Sequence, residues 1–242
     1  MLQVRRADDR GIGRLDWLEA RFTFSFGAYQ DPAETGFSSL RLLNDDLVAP
    51  GAGFATHDHR DTEVCSYVIS GELAHRDSMG EGSVVRAGDV LVMSAGTGIT
   101  HSEFNASGTD PVRFLQIWMA PSRMGAAPRY DQRHFPAEQK RGRLCPLLSP
   151  DGADGALLWL ADARVYAGLF DGDEAAALRF SEPRHAYVHV VHGSLEVNGI
   201  RLSEGDGARL RGEPGVRFAG GTAAEVLLFD LPARETPAAA EA

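Results

Sequence analysis

The chain has 242 residues, with 24 Lys+Arg against 34 Asp+Glu and a formal net charge of −10. That surplus repels phosphate backbones, and the one basic run, residues 139–143 (QKRGR), is short, so direct nucleic-acid binding is excluded from the leading readings. No apolar stretch approaches the ~20 residues of a membrane-spanning helix, and two distant cysteines, Cys65 and Cys145, suggest no oxidised framework.

With no basic start followed by an apolar run, a cytoplasmic protein without a membrane role is expected. Helical periodicity is almost absent. Short alternating runs predict strands, in chain order, over Phe22–Phe26, Ser66–Ile69, Val90–Met93, Phe114–Trp118, Val188–Val191 and Val226–Phe229. Turn signals such as Ser70-Gly71, Pro150-Asp151-Gly152 and Asn198-Gly199 punctuate them, as tight hairpins demand. The fold class is all-β, a sandwich or barrel.

The halves echo each other: Tyr67-Val-Ile-Ser-Gly-Glu-Leu73 returns as His189-Val-Val-His-Gly-Ser-Leu195, and Ala87-Gly-Asp89 as Glu204-Gly-Asp206. A duplicated barrel follows, with a first barrel over residues 1–123, a linker over 124–154, a second barrel over 155–235 and a disordered tail over 236–242. Two barrels in one chain bury against each other what single barrels bury in a dimer, so a monomer is expected.

His57-Asp-His59 puts two imidazoles on one face of a strand, because side chains two apart point the same way. His101-Ser-Glu103 adds a third imidazole and a carboxylate by the same rule. Three nitrogens and an oxygen suit one divalent first-row ion, with positions left for water, dioxygen or substrate.

Gly51, His57, His59 and Glu63 are spaced as in the first cupin motif, and Gly88-Asp89 with Ser94-Ala-Gly-Thr-Gly98 and His101 resembles an altered second one. Residues 22–29 (FTFSFGAY), Asn44-Asp-Asp46, Gly53-Phe54, His75-Arg-Asp-Ser78, His101-Ser-Glu103 and Gln116-Ile-Trp118 resemble the N-terminal signature of the pirin family. The resemblance implies two stacked cupin barrels, the double-stranded β-helix or jelly roll. It implies a metal held by His57, His59, His101 and Glu103, with iron as the expected ion and Mn, Co, Ni, Cu or Zn also accepted by such donors. It further implies a dioxygenase that opens a flavonol such as quercetin with dioxygen, Glu103 serving as the catalytic base. A regulator that senses redox state and binds other proteins is the alternative.

Glu63 is a ligand in the general cupin pattern, whereas the pirin pattern gives the carboxylate role to Glu103. Glu63 is therefore expected behind the metal or in a structural role. His75-Arg-Asp-Ser78 reads as a hydrogen-bonded loop rather than a catalytic set, and residues 94–98 lack the Lys-Ser/Thr and helix of a phosphate cradle. In the second half His185, Tyr187 and His189 share a face, but Arg179, Ser181 and Phe218 stand at the other ligand positions, so that barrel reads as structural. Trp17, Trp118 and Trp159 read as core or rim packing.

Overall fold

The computed structural model describes residues 1–233, and the tail expected at 236–242 lies outside the described residues. Strands make up nearly all of the regular structure, interrupted by one four-residue helix, Ala137–Lys140, and two short 3-10 turns. No helix among the described residues is long and apolar enough to cross a membrane.

The first barrel consists of two sheets. One has seven strands in the spatial order Arg129–His134, Asp89–Ser94, Glu63–Ser70, Val112–Met119, Leu40–Val48, Leu18–Phe22 and Gly11–Leu15. The other has four, in the order Gly53–His59, Ile99–Asn105, Glu72–Asp77 and Gly82–Arg86. What each face meets explains the patterns. In Ile99–Asn105, residues Ile99, His101, Glu103 and Asn105 are buried while Thr100 and Phe104 are exposed, the alternation of a sheet with one face in water. Residues 63–68 are buried without a break. Val64 and Val68 point into the barrel interior, whereas Cys65 and Tyr67 join a second apolar cluster with Trp159, Tyr187 and Phe229 from the other half.

The second barrel is built from a nine-stranded sheet whose longest strands, Arg184–Val197 and Gly215–Pro232, pass through register shifts and change partners along their length. Its interior is apolar, with the Phe170 and Phe218 rings stacked 5.6 Å apart. The internal repeat is real in three dimensions. Gly71 and Gly193 both have positive φ (79° and 66°), and a Cβ on either would lie within 3 Å of backbone, at Val112 Cα of the strand Val112–Met119 for the first and at Ala223 O of the strand Gly215–Pro232 for the second. The expectation of two stacked all-β barrels is met.

Three expectations need correction. Leu2–Arg5 does not join the first barrel; it pairs with Gly207–Arg211, because Leu2 and Val4 cover the second barrel's core. The segment expected as a linker is ordered structure: Arg129–His134 pairs with Asp89–Ser94, and Cys145–Ser149 pairs with Arg164–Gly172. The strand expected at Phe22–Phe26 ends at Phe22, after which the backbone turns through Gly27 and Phe24 drops into the core between barrels.

Polar contacts close the seam. Arg113 grips Asp45 through two bonds of 2.9 and 2.8 Å and reaches Glu204 of the second barrel at 2.9 Å. The Lys140 ammonium is buried and donates to the Tyr67 hydroxyl at 3.0 Å.

Candidate metal centre

The centre is organised by one strand, Ile99–Asn105, which is flanked on both sides. On one side His101 stands opposite His57 and Ile99 opposite His59; on the other Glu103 stands opposite His75. Between His101 and Glu103 the register against Gly53–His59 slips, so that Glu103 faces Phe54 and the neighbouring strand carries an extra residue. The close approach below the slip requires Gly53: a Cβ there would lie 2.3 Å from the Glu103 carbonyl oxygen.

This register converges three imidazoles. The His57, His59 and His101 rings are 4.5–4.9 Å apart between centroids, and one nitrogen from each lies within 4.8 Å of the others. His57 Nδ1 is 2.8 Å from the Ala55 carbonyl, which only accepts, so Nδ1 carries the proton and Nε2 presents a lone pair. That Nε2 is 3.1 Å from His101 Nε2, and His59 Nε2 is buried without a hydrogen-bond partner. Burial, with His57 beside it, pushes His59 down to about 4, and burial followed by the neighbouring imidazoles pushes His101 well below the usual histidine range. Three imidazole nitrogens therefore converge on a common point, and the buried Nε2 of His59 has no hydrogen-bond partner there, an arrangement that fits a divalent cation.

Glu103 is 1% exposed. It is not in the three-histidine group; its carboxylate clusters instead with His75 and His101. Gln116 Nε2 donates to Glu103 Oε2 at 2.8 Å, while Ser66 Oγ lies 2.8 Å from both Glu103 Oε1 and Gln116 Oε1 and serves one at a time. Burial raises the Glu103 carboxyl above the ordinary range. The four residues expected as ligands are thus neighbours, with His101 common to two overlapping groups.

Two residues at the site were missed by sequence reasoning. His75 was expected in a loop, but it lies on the strand Glu72–Asp77, fully buried beside His101 and Glu103. Trp118, expected only as packing, sets its ring edge-on to His59 at 4.9 Å with its indole N–H buried and unpartnered. The strand pattern H-R-D held the signal for His75, since residues two apart share a face.

Glu63 turns away from the histidines: Ser94 Oγ and the Leu160 backbone N–H both donate to its Oε2, at 2.6 and 2.9 Å, so it ties the two halves together. In the second half Tyr187 packs into the core between barrels, His185 stacks on Phe37, and His189 is buried near Arg10 and Asp45. Phe218, at the position corresponding to His101, fills the second barrel's core.

Comparison with known proteins identifies relatives along nearly the whole chain. Residues 4–119 match the family model described as Pirin, and residues 146–231 match that described as Quercetinase C-terminal cupin domain. The chain is 41% identical over 232 residues to quercetin 2,3-dioxygenase of Escherichia coli K12, covering 96% of this chain and 99% of the relative. It is 37% identical to a pirin-like protein of Caulobacter vibrioides, covering 95% and 99%. The crystal structure of the bacterial pirin YhhW from Escherichia coli in complex with nickel(II) superimposes with a TM-score of 0.91 at 40% identity, covering 96% of this chain and 99% of that one. The chain belongs to the pirin family.

Proposed function

We propose that this member of the pirin family is a metal-dependent dioxygenase of the quercetin 2,3-dioxygenase type, opening a flavonol with dioxygen and releasing carbon monoxide. The observation that carries the reading is the convergence of three imidazole nitrogens beside a buried carboxylate, in a chain similar over 96% of its length to quercetin 2,3-dioxygenase of Escherichia coli. His57, His59 and His101 would hold the ion with Glu103 at hand, and iron is the working metal we favour, the nickel complex of YhhW supporting a site open to several divalent ions. When bound, the ion supplies Lewis-acid activation of the flavonol hydroxyl and redox chemistry with dioxygen.

The protein's own part is to receive a proton and to fix orientation. Burial raises the Glu103 carboxyl, which strengthens it as a base, and Ser66 and Gln116 hold its oxygens in place. Trp118, perpendicular to the His59 ring at 4.9 Å, gives the site an aromatic side chain that an aromatic substrate can meet.

The test loads metal-free protein with Fe(II), Co(II), Ni(II) or Cu(II). Dioxygen uptake, loss of quercetin's near-visible absorbance and carbon monoxide release are then followed. Loaded protein is expected to give all three, and Glu103→Gln to lose about 10²- to 10⁴-fold in rate. Tight metal binding without carbon monoxide from any loaded form would overturn the enzymatic reading and favour redox-sensing regulation.

A further inference from the structure

We propose that Asp77 and His75 form a positioning relay that fixes the tautomer of His101 and so decides which nitrogen His101 offers to the metal. The proposal rests on reading His57, His59 and His101 as ligands.

His75 and Asp77 are adjacent positions on one face of the strand Glu72–Asp77, and both side chains are 0% exposed. His75 Nε2 lies 3.2 Å from Asp77 Oδ2, and His75 Nδ1 lies 3.4 Å from His101 Nδ1. The Tyr130 ring stacks on His75 at 4.9 Å, which holds the imidazole in plane for both contacts. Each proton in this line follows from the one before. A carboxylate only accepts, so His75 Nε2 carries the hydrogen, and Nδ1 is the ring atom left to accept from His101. The donor to it is His101 Nδ1, which leaves His101 Nε2 as a bare lone pair. That is the nitrogen 3.1 Å from His57 Nε2, whose own proton is on Nδ1, so two lone pairs meet at the convergence point of the three imidazoles and a cation there would satisfy both.

Asp77 is also fixed at its far side. Its Oδ1 accepts the backbone N–H of Met79 at 2.8 Å and of Glu81 at 3.2 Å. This makes Asp77→Asn a directed probe rather than a deletion. The two backbone donors keep the amide oxygen, so the NH₂ group must face His75. His75 Nε2 then has to accept, its Nδ1 becomes the donor, His101 Nδ1 accepts, and the proton moves to His101 Nε2, where it obstructs the metal. The same logic of an orienting acid that sets a histidine tautomer operates in hydrolytic triads and in the outer shells of metal sites.

The experiment records the histidine ring nitrogens of metal-free, ¹⁵N-labelled protein by long-range ¹H–¹⁵N correlation, then measures nickel(II) affinity. In the native sequence His101 is expected to be protonated at Nδ1, and in Asp77→Asn at Nε2. Nickel binding should weaken about 10- to 100-fold in Asp77→Asn and less in His75→Phe, which removes the relay without reversing it. In the His75→Phe background, Asp77→Asn should cost nothing further, because the line of protons is already cut. An unchanged His101 tautomer in Asp77→Asn, or Nε2 protonation in the native sequence, would overturn the relay. Should Asp77→Asn fail to fold, the native tautomer and the His75→Phe affinity decide. Failure of the native protein to bind nickel with the Nδ1–H tautomer in place would overturn the metal reading while supporting the relay.

Discussion

Inside the first barrel polarity is graded. Val48, Val68 and Phe114 form an apolar floor. Above it Asn44, Ser66 and Gln116 stand in register across three strands, with Asp46 opposite Phe114 and Glu103 nearby. Asp46 makes stability depend on pH. Burial, then the neighbouring charges of Asp45 and Glu103, raises its carboxyl to about 8. Between the ordinary carboxylate range near 4 and about 8, the folded protein holds a proton on Asp46 that the unfolded chain has released. Stability therefore falls as pH rises through that window, by up to ~1.4 kcal/mol per pH unit from this group. Asp46→Asn removes that dependence, so its stability relative to the native sequence should grow from pH 5 to pH 8. Urea midpoints of both proteins across that range check this, and parallel curves would refute it.

At the scale of the element, the Ile99–Asn105 strand depends on how closely its neighbour can approach. Gly53→Ala would drive a methyl into the Glu103 carbonyl and the Phe104 backbone, at 2.3 and 2.5 Å. The two strands must part, so a loss of about 1–3 kcal/mol in stability and a drop in metal affinity are expected together, measured by denaturation and nickel titration. A drop in stability with native affinity would show that the register slip, and not the close approach, sets the site. The same strand shows what was legible in the residues. His57/His59 and His101/Glu103 announce themselves because the two-residue period is local, and residues 99–105 display it in full. His75 does not, because its place opposite Glu103 is a fact of strand pairing between distant parts of the chain. Arg129–His134 is too polar to declare itself a strand and takes that form by pairing with the buried Asp89–Ser94. Leu2–Arg5 is likewise assigned by a partner some two hundred residues away.

For the whole molecule, the decisive feature is that the largest apolar cluster belongs to neither barrel. Tyr67, Leu115 and Ile117 from the first meet Trp159, Tyr187 and Phe229 from the second. Glu63 accepts from Leu160, and Arg113 reaches Glu204, so polar contacts cross the same seam. The strand Leu2–Arg5 adds a covalent tie, since it starts the chain yet completes the second barrel's sheet. Separating the barrels would expose this cluster at ~25 cal/mol per Å² of apolar surface, and neither barrel would keep its own complement of strands. The chain should therefore unfold as one unit, with calorimetric and van't Hoff enthalpies equal. An ion bound at the three histidines of the first barrel then stabilises both, by about 2.7 kcal/mol when its concentration is a hundred times its dissociation constant. Hydrogen exchange in the second-barrel strand Gly215–Pro232, which contributes no residue to the histidine cluster, should slow on nickel addition as much as exchange in Val112–Met119. Two separate transitions, with the ion protecting the first barrel alone, would mean that the shared core does not couple the halves.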